Sequence, residues 1–337
     1  MLNVALVGPL YNGLNKYMEP LSSELSKQGI RMTRMGFSEI CFDIDKILNQ
    51  VHSLAKKMEE SHFDIVHYNY GTYDAEQLIP VIYQPSVKQI LTVHSINWGL
   101  FRKLNNPEYY EQVNRQIEHM DGYIYFTQYG KEKLSLKTKA PNQIAWHPAT
   151  HEKVSLSQAE EDMTLRSLGI TTKNNVAILG YASHWKNPIP VLKVSRKLPN
   201  ITFIFGGPYW SQKIPKEDLP NNVLIIDKEL SEPELVTLIE NSVGLFPYEE
   251  YHSFQGSGLL PNYLVRRSPV IASHCPPLVE YMQGSDYVVD LDDTESLKNA
   301  IIDCISKKTQ RNPSGVFSYM EHSRRIKNLY IELMEKD

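Results

Sequence analysis

The residues able to do chemistry in this chain gather where an apolar, β-branched run stops and a glycine or polar side chain follows. Gly8-Pro-Leu-Tyr-Asn-Gly13 follows such a run and leads into an amphipathic segment. Glycines there let the backbone approach a ligand, and a helix N-terminus offers unpaired N–H groups to a phosphate or a hydroxyl. The spacing is not that of a dinucleotide fingerprint, and a plain strand–helix turn would use the same residues. His94 ends the fourth run, in Thr92-Val93-His94-Ser95. A neutral imidazole there could exchange a proton or orient a hydroxyl, or it could serve structure alone. The same choice holds for Asn69 and Asp74, in HYNYGTYD after the third run.

The second half carries stronger signals. Gly180-Tyr-Ala-Ser-His-Trp-Lys186-Asn-Pro188 lies between a run and a helix with proline near its first turn. A cation at such a mouth could neutralise a diphosphate; its alternative is an isolated surface lysine. Phe205-Gly206-Gly207-Pro208 is another glycine turn, and PYEEYHSFQGSGLL brings Tyr248, Gly256, Ser257, Gly258 and Leu259 to the start of a further helix. Gly-Ser-Gly at that point supplies N–H groups and a hydroxyl, an anion cradle. Several phosphate-type turns in one domain point jointly to a phosphate-bearing ligand.

Other pairings lead elsewhere. Asp43-Ile-Asp45 and Asp290-Leu-Asp292-Asp293 stand just before apolar-periodic segments, where aspartate is the expected helix cap rather than a metal ligand. His147 and His151 have the spacing of a helical zinc pair, but Pro148 follows the first at once. Cys41, Cys275 and Cys304 are odd in number and far apart, which fits neither a disulfide framework nor a zinc site and suggests a reducing compartment. No metal and no cofactor is expected.

The elements that must position these residues alternate. Runs at residues 3–7, 30–34, 65–68, 89–93, 122–126 and 143–146 are separated by helical patterns such as 15–27 and 47–60. A second series has runs at 175–179, 201–205, 223–226, 244–246, 270–272 and 287–289, with helices over 188–198, 232–241, 260–266 and 294–307. Near-continuous apolar strands alternating with helices predict a parallel sheet covered on both faces. The fold class is α/β: two Rossmann-like, doubly wound domains facing a central cleft, where open α/β sheets bind ligands. A chain of 337 residues exceeds the usual single core. The expected domains are 1–150 and 151–315, with a linker in the polar stretch 147–161 and a long final helix, 316–337, returning to the first domain. A net charge of −4 with no basic tract excludes nucleic acid as an expected partner. The opening MLNVALVG reads as a first strand rather than a signal peptide, and no apolar stretch nears a membrane span. A cytoplasmic protein, with membrane contact at most peripheral, is expected.

In this order the segments resemble the GT-B glycosyltransferases, in particular the retaining enzymes of glycosyltransferase family 4, over nearly the whole chain. VGPLYNGLNKYMEPLSSELSKQGI resembles that family's first strand, glycine loop and long helix; HFDIVHYN and LTVHS resemble the next signature strands. The family's active-site histidine maps to His94. ILGYASHWKN resembles its donor-phosphate turn and places the phosphate lysine on Lys186; ELSEPELVTLIENSVGLFPY, SPVIAS and VVDLDDTESLKNAI follow in family order. The family's E-x7-E pair falls on Phe254 and Asn262, the arginine before the lysine falls near Tyr181, and the second glycine of the first loop is Leu14. SFQGSGLL resembles instead a subgroup in which serine and backbone N–H groups hold the diphosphate.

The resemblance implies transfer of a hexose from a UDP- or GDP-sugar to an acceptor hydroxyl, with retention and without metal. Lys186, Gly207, Tyr248, Gly256, Ser257, Gly258 and Leu259 would face the donor with Gly13; His94 would be catalytic; Asn69 and Asp74 would lie on the acceptor side. The acceptor itself is not specified. The missing acids support an alternative: a catalytically silent GT-B protein acting as regulatory or scaffolding partner of an active transferase.

Overall fold

A computed structural model of the chain describes residues 1–39, 41, 43–70, 78–83, 86–94, 107–134, 138–249, 257–266, 268–284, 286–307 and 315–336. The chain divides into two compact units, Met1–Trp146 with Tyr319–Asp337, and His147–Ser318.

The first unit opens β1 (Asn3–Val7), α1 (Asn12–Lys27), β2 (Arg31–Met35), α2 (Ile44–Glu59), β3 (Ile65–Tyr70) and β4 (Lys88–Val93). It continues with α3 (Pro107–Glu118), β5 (Gly122–Tyr125), α4 (Gln128–Leu134) and β6 (Asn142–Ile144). The second unit holds α5 (Gln158–Ser167), β7 (Asn175–Leu179), α6 (Ile189–Lys197), β8 (Thr202–Gly206), β9 (Val223–Ile226) and α7 (Glu232–Glu240). After these come β10 (Val243–Phe246), α8 (Leu260–Val265), β11 (Val270–Ser273), β12 (Tyr287–Val289) and α9 (Thr294–Lys307). The last helix, α10 (Tyr319–Glu335), belongs again to the first unit.

Each unit has one six-stranded, wholly parallel sheet. Their orders are β2-β1-β3-β4-β5-β6 and β12-β11-β10-β7-β8-β9. The second is the Rossmann order; the first is the other doubly wound order, lengthened by one strand. The distinction matters because ligands bind past the carboxyl ends of the strands where the order reverses. That point lies between β1 and β3 in the first unit and between β7 and β10 in the second.

Val4, Leu6, Ile65, Ile90 and Ile124 of the first sheet pack on Tyr17, Met18, Leu21 and Leu25 of α1 and on Ile326, Leu329, Tyr330 and Leu333 of α10. Three buried aliphatic side chains of α10 contribute on the order of 5 kcal/mol or more, at about 1.5–3 kcal/mol each. The helix is therefore part of this core. Gly122 admits it: a Cβ there would stand 3.0 Å from Leu333 Cδ1. In the second unit Val176, Ile178, Phe203, Phe205, Leu245 and Ile271 meet Val191 and Val194 of α6 and Leu297, Ala300 and Ile301 of α9.

Of the aspartates set aside as metal ligands, Asp43 and Asp293 cap helices. Asp43 accepts from the Lys46 N–H, and Asp293 Oδ1 from the N–H groups of Glu295 and Ser296. The stretch 147–161, read as linker, ends sooner. Ser157 and Glu160 form a capping box that starts α5, a helix with no buried residue. No helix among the described residues is long and apolar enough to cross a membrane.

Candidate functional site

The first unit places His94 one residue beyond β4, with Asn69 near the end of the adjacent β3. His94 Nε2 stands 3.2 Å from Asn69 Oδ1. With hydrogen on Nε2 the ring donates to the amide, which leaves Nδ1 as the basic nitrogen. Asn69 is fully buried, and its Nδ2 has no partner among the described residues. The imidazole is gripped edge-on by Tyr17, at 4.6 Å between ring centroids, and by Phe126, at 4.8 Å. Beneath it His67 bonds Thr92 Oγ1 through Nε2 and the Tyr330 hydroxyl through Nδ1, each at 2.6 Å. Burial lowers the His67 pKa to about 3, so that ring stays neutral.

Gly13 does not lie in the loop between β1 and its helix, as its motif suggested. It lies in the first turn of α1, where an added Cβ would meet nothing within 4 Å. Gly8 is the residue the turn requires: a Cβ there would fall 2.9 Å from Asn69 O and 2.7 Å from Met18 Sδ. Gly36, at φ 153°, passes so close that a Cβ would stand 1.6 Å from Gly8 O. Backbone bonds from Gly8 N to Met35 O (3.0 Å) and Leu10 N to Phe37 O (2.7 Å) hold the loop in this approach. Asp74 lies outside the described residues, as does Gly256.

In the second unit the switch point is built around Lys186. It is not a surface lysine. Only 4% exposed, it donates from Nζ to Leu179 O at 2.7 Å, with the Tyr248 ring at 5.7 Å and the Trp210 ring at 6.0 Å. Desolvation, reinforced by the charge of Lys213, lowers its pKa to about 7. Gly180, at φ 85°, leaves the ammonium room: a Cβ there would lie 3.0 Å from both Lys186 Nζ and Leu259 Cδ1. Gly207, at φ 136°, lies against this turn, since its Cβ would fall 2.5 Å from Gly180 O. Trp210 Nε1 donates to that same carbonyl at 2.9 Å.

Tyr248 pairs with Lys186 in a single β-bridge and brings the loop after β10 alongside. Ser273 Oγ donates to Tyr248 O at 2.6 Å, and the Tyr248 hydroxyl lies 3.1 Å from Ser257 Oγ. Burial pushes the Tyr248 phenol up to about 12, so it remains protonated. Ser257 Oγ also accepts from Leu259 N at 3.3 Å, at the mouth of α8. Gly258 is exposed beside His147. The structure thus gathers Lys186, Gly207, Tyr248, Ser257 and Leu259 around one buried cation. Trp210, which walls that cation, is not among the residues the sequence singles out, although GGPYW marks its place after the glycine turn.

Asn262, where an acid was missing, is occupied. Its Oδ1 accepts from His151 N at 2.8 Å, and its Nδ2 donates to Gly258 O at 3.1 Å and Thr150 Oγ1 at 3.3 Å. A carboxylate could not make the bond to Gly258 O, which needs a donor. No cluster of three metal-ligating side chains occurs among the described residues.

No family profile matches the sequence, and no curated protein matches it. Solved structures do. A glycosyltransferase from Rickettsia africae superposes with a TM-score of 0.69 at 14% identity, covering 100% of this chain and 99% of that one. HepE from Anabaena, in complex with UDP-glucose, gives 0.66 at 12%, covering 100% and 99%. The UDP-GlcNAc 2-epimerase of Neisseria meningitidis, bound to UDP-GlcNAc, gives 0.63 at 12%, covering 98% and 100%. The chain has the fold of these proteins, the GT-B fold, with two Rossmann-like units in one polypeptide.

Proposed function

We propose that the protein is a glycosyltransferase that moves a hexose from a UDP- or GDP-sugar to an acceptor hydroxyl, with retention of configuration and no metal. The observation that carries this reading is the Lys186 ammonium, buried beneath two glycine turns at the switch point of the second sheet. A lysine held there with no carboxylate partner among the described residues suits a ligand that brings its own negative charge. HepE and the meningococcal epimerase, with the same fold, are complexes with UDP-sugars. Family-4 resemblance adds the expectation of retention.

In this mechanism Lys186, the Ser257 hydroxyl and the N–H groups around Gly258 hold the diphosphate and stabilise charge as it leaves. Gly207 lets the backbone come close, and Tyr248 holds Ser257 in place. His94, its tautomer set by Asn69, orients the donor sugar as positive charge develops at its anomeric carbon.

Incubation with UDP- and GDP-sugars and a panel of acceptor hydroxyls should release nucleotide, undiminished by chelator. His94→Ala should lower turnover about 10²-fold, the scale of a positioned proton-handling group. Nucleoside diphosphate affinity should hold, since His94 and Lys186 lie in different units. A protein that binds nucleotide-sugar yet releases nothing would make it the silent partner, the reading that Asn262's structural bonds favour. A fully active His94→Ala variant would remove the histidine from the mechanism.

A further inference from the structure

Three aromatic rings meet behind His94, and one comes from the far end of the chain. Tyr17 of α1 packs its ring edge against His94 at an interplanar angle of 83°. Its hydroxyl lies 2.7 Å from Nε2 of His322, on α10, 305 residues away. His322 is 1% exposed, and its ring also contacts Phe126, the second ring gripping His94, at 6.1 Å. The Tyr17 hydroxyl is also near the Thr92 side chain, two residues before His94. Thr92 in turn bonds His67, and His67 bonds Tyr330 of α10. Thus α10 reaches the histidine's surroundings twice, through His322 and through Tyr330.

Space-filling alone does not call for this chemistry. A phenylalanine and a leucine would fill the same volume without desolvating two polar groups, and such a swap is often neutral or stabilising. What a hydroxyl–imidazole bond adds is direction: it fixes the Tyr17 ring against sliding in its own plane, and His94 leans on that ring.

We propose that His322 is a positioning residue for His94, acting through Tyr17, so that the last helix completes the active site of the first unit. The catalytic part of this inference rests on the glycosyltransferase reading; the positioning part does not.

The test uses the full chain. His322→Leu removes the bond, His322→Gln keeps a polar atom near the Nε2 position, and Tyr17→Phe removes only the hydroxyl. The first readout is the His94 imidazole resonance by NMR, which two edge-on rings within 5 Å make sensitive to small displacements. It should move in His322→Leu and Tyr17→Phe and return in His322→Gln. The second is turnover. His322→Leu should lower kcat about tenfold with donor KM unchanged, the loss expected when a reacting group is misplaced by a fraction of an ångström. His322→Gln should recover most of it, and His94→Ala/His322→Leu should be no slower than His94→Ala.

An unmoved His94 resonance in either variant overturns the inference, as does a double variant in which the two losses multiply. Should His322→Leu fail to fold, Tyr17→Phe decides the same question. A wild-type protein without turnover would end the glycosyltransferase reading, and the resonances would still decide whether His322 positions His94.

Discussion

On the proposed role of Lys186 at the donor diphosphate, nucleotide-sugar binding should depend on pH in a direction and range that follow from its burial. The free protein holds its ammonium near pKa 7 through desolvation and the neighbouring Lys213 charge. A bound diphosphate raises that pKa, because an anion beside the ammonium favours the charged form. Below pH 6 the lysine is protonated before the ligand arrives, and affinity is at its highest. Above pH 7 each binding event must take up a proton, and affinity falls about tenfold, or 1.36 kcal/mol, per unit until the bound pKa is reached. A nucleotide-sugar is the right probe, since its diphosphate diester stays fully ionised across this range. Calorimetry in two buffers of different ionisation enthalpy should give uptake of about 0.9 proton at pH 8 and about 0.1 at pH 6. Lys186→Ala should bind weakly with a flat profile. A flat wild-type profile, or the same slope in the variant, would refute the reasoning. The same shift bears on stability. Between pH 7 and 10.5 the unfolded chain holds the proton that the folded chain has lost, so stability rises with pH over that window. Lys186→Met should consequently fold more stably at pH 7, by about 2–3 kcal/mol once the lost bond to Leu179 O is discounted.

His67 works at the acid end. Its folded pKa of about 3 lies below its ordinary 6.5, so the unfolded chain binds the extra proton between those values and stability declines as pH falls through them. The unfolding free energy from denaturant melts should drop by a few kcal/mol between pH 7 and pH 4 in wild type and by clearly less in His67→Gln. Gly36→Ala should destabilise the protein by about 3 kcal/mol or more in a denaturant melt, because its Cβ would overlap a backbone oxygen that cannot step aside. Tyr209, the one non-glycine residue with positive φ among the described residues, stands at φ 74°. Tyr209→Asn, a better left-handed residue, should raise the thermal midpoint by about 2–4 °C.

The strand pattern is open to sequence reading because it depends on local hydrophobicity. Runs at 175–179, 223–226 and 287–289, and the helix at 294–307, have the bounds their periodicity suggests. Strand order in the first sheet is not legible, since β2-β1-β3 and β3-β2-β1 use the same strands. α5 is hidden among the polar residues because it buries nothing and so lacks an apolar stripe; only Ser157 and Glu160 announce it. At the site, residue types and turn positions are readable, whereas environments are not. Lys186 is buried by Trp210, 24 residues on, and Tyr248, 62 residues on. Gly13 differs from its expected place by three residues of helix boundary, and helix ends are the least determined feature of a sequence pattern.

The first unit is closed by a helix that the ribosome makes only after the whole of the second unit. About 190 residues separate Trp146 from the end of α10, which at roughly 5–20 residues per second is on the order of 10–40 s of synthesis. Throughout that interval Tyr17, Leu21 and the gap left by Gly122 lack the helix that covers them. The second unit is one continuous stretch and can finish folding inside the wait. Until then the nascent first unit keeps an apolar face uncovered, and pausing within the second unit lengthens that exposure.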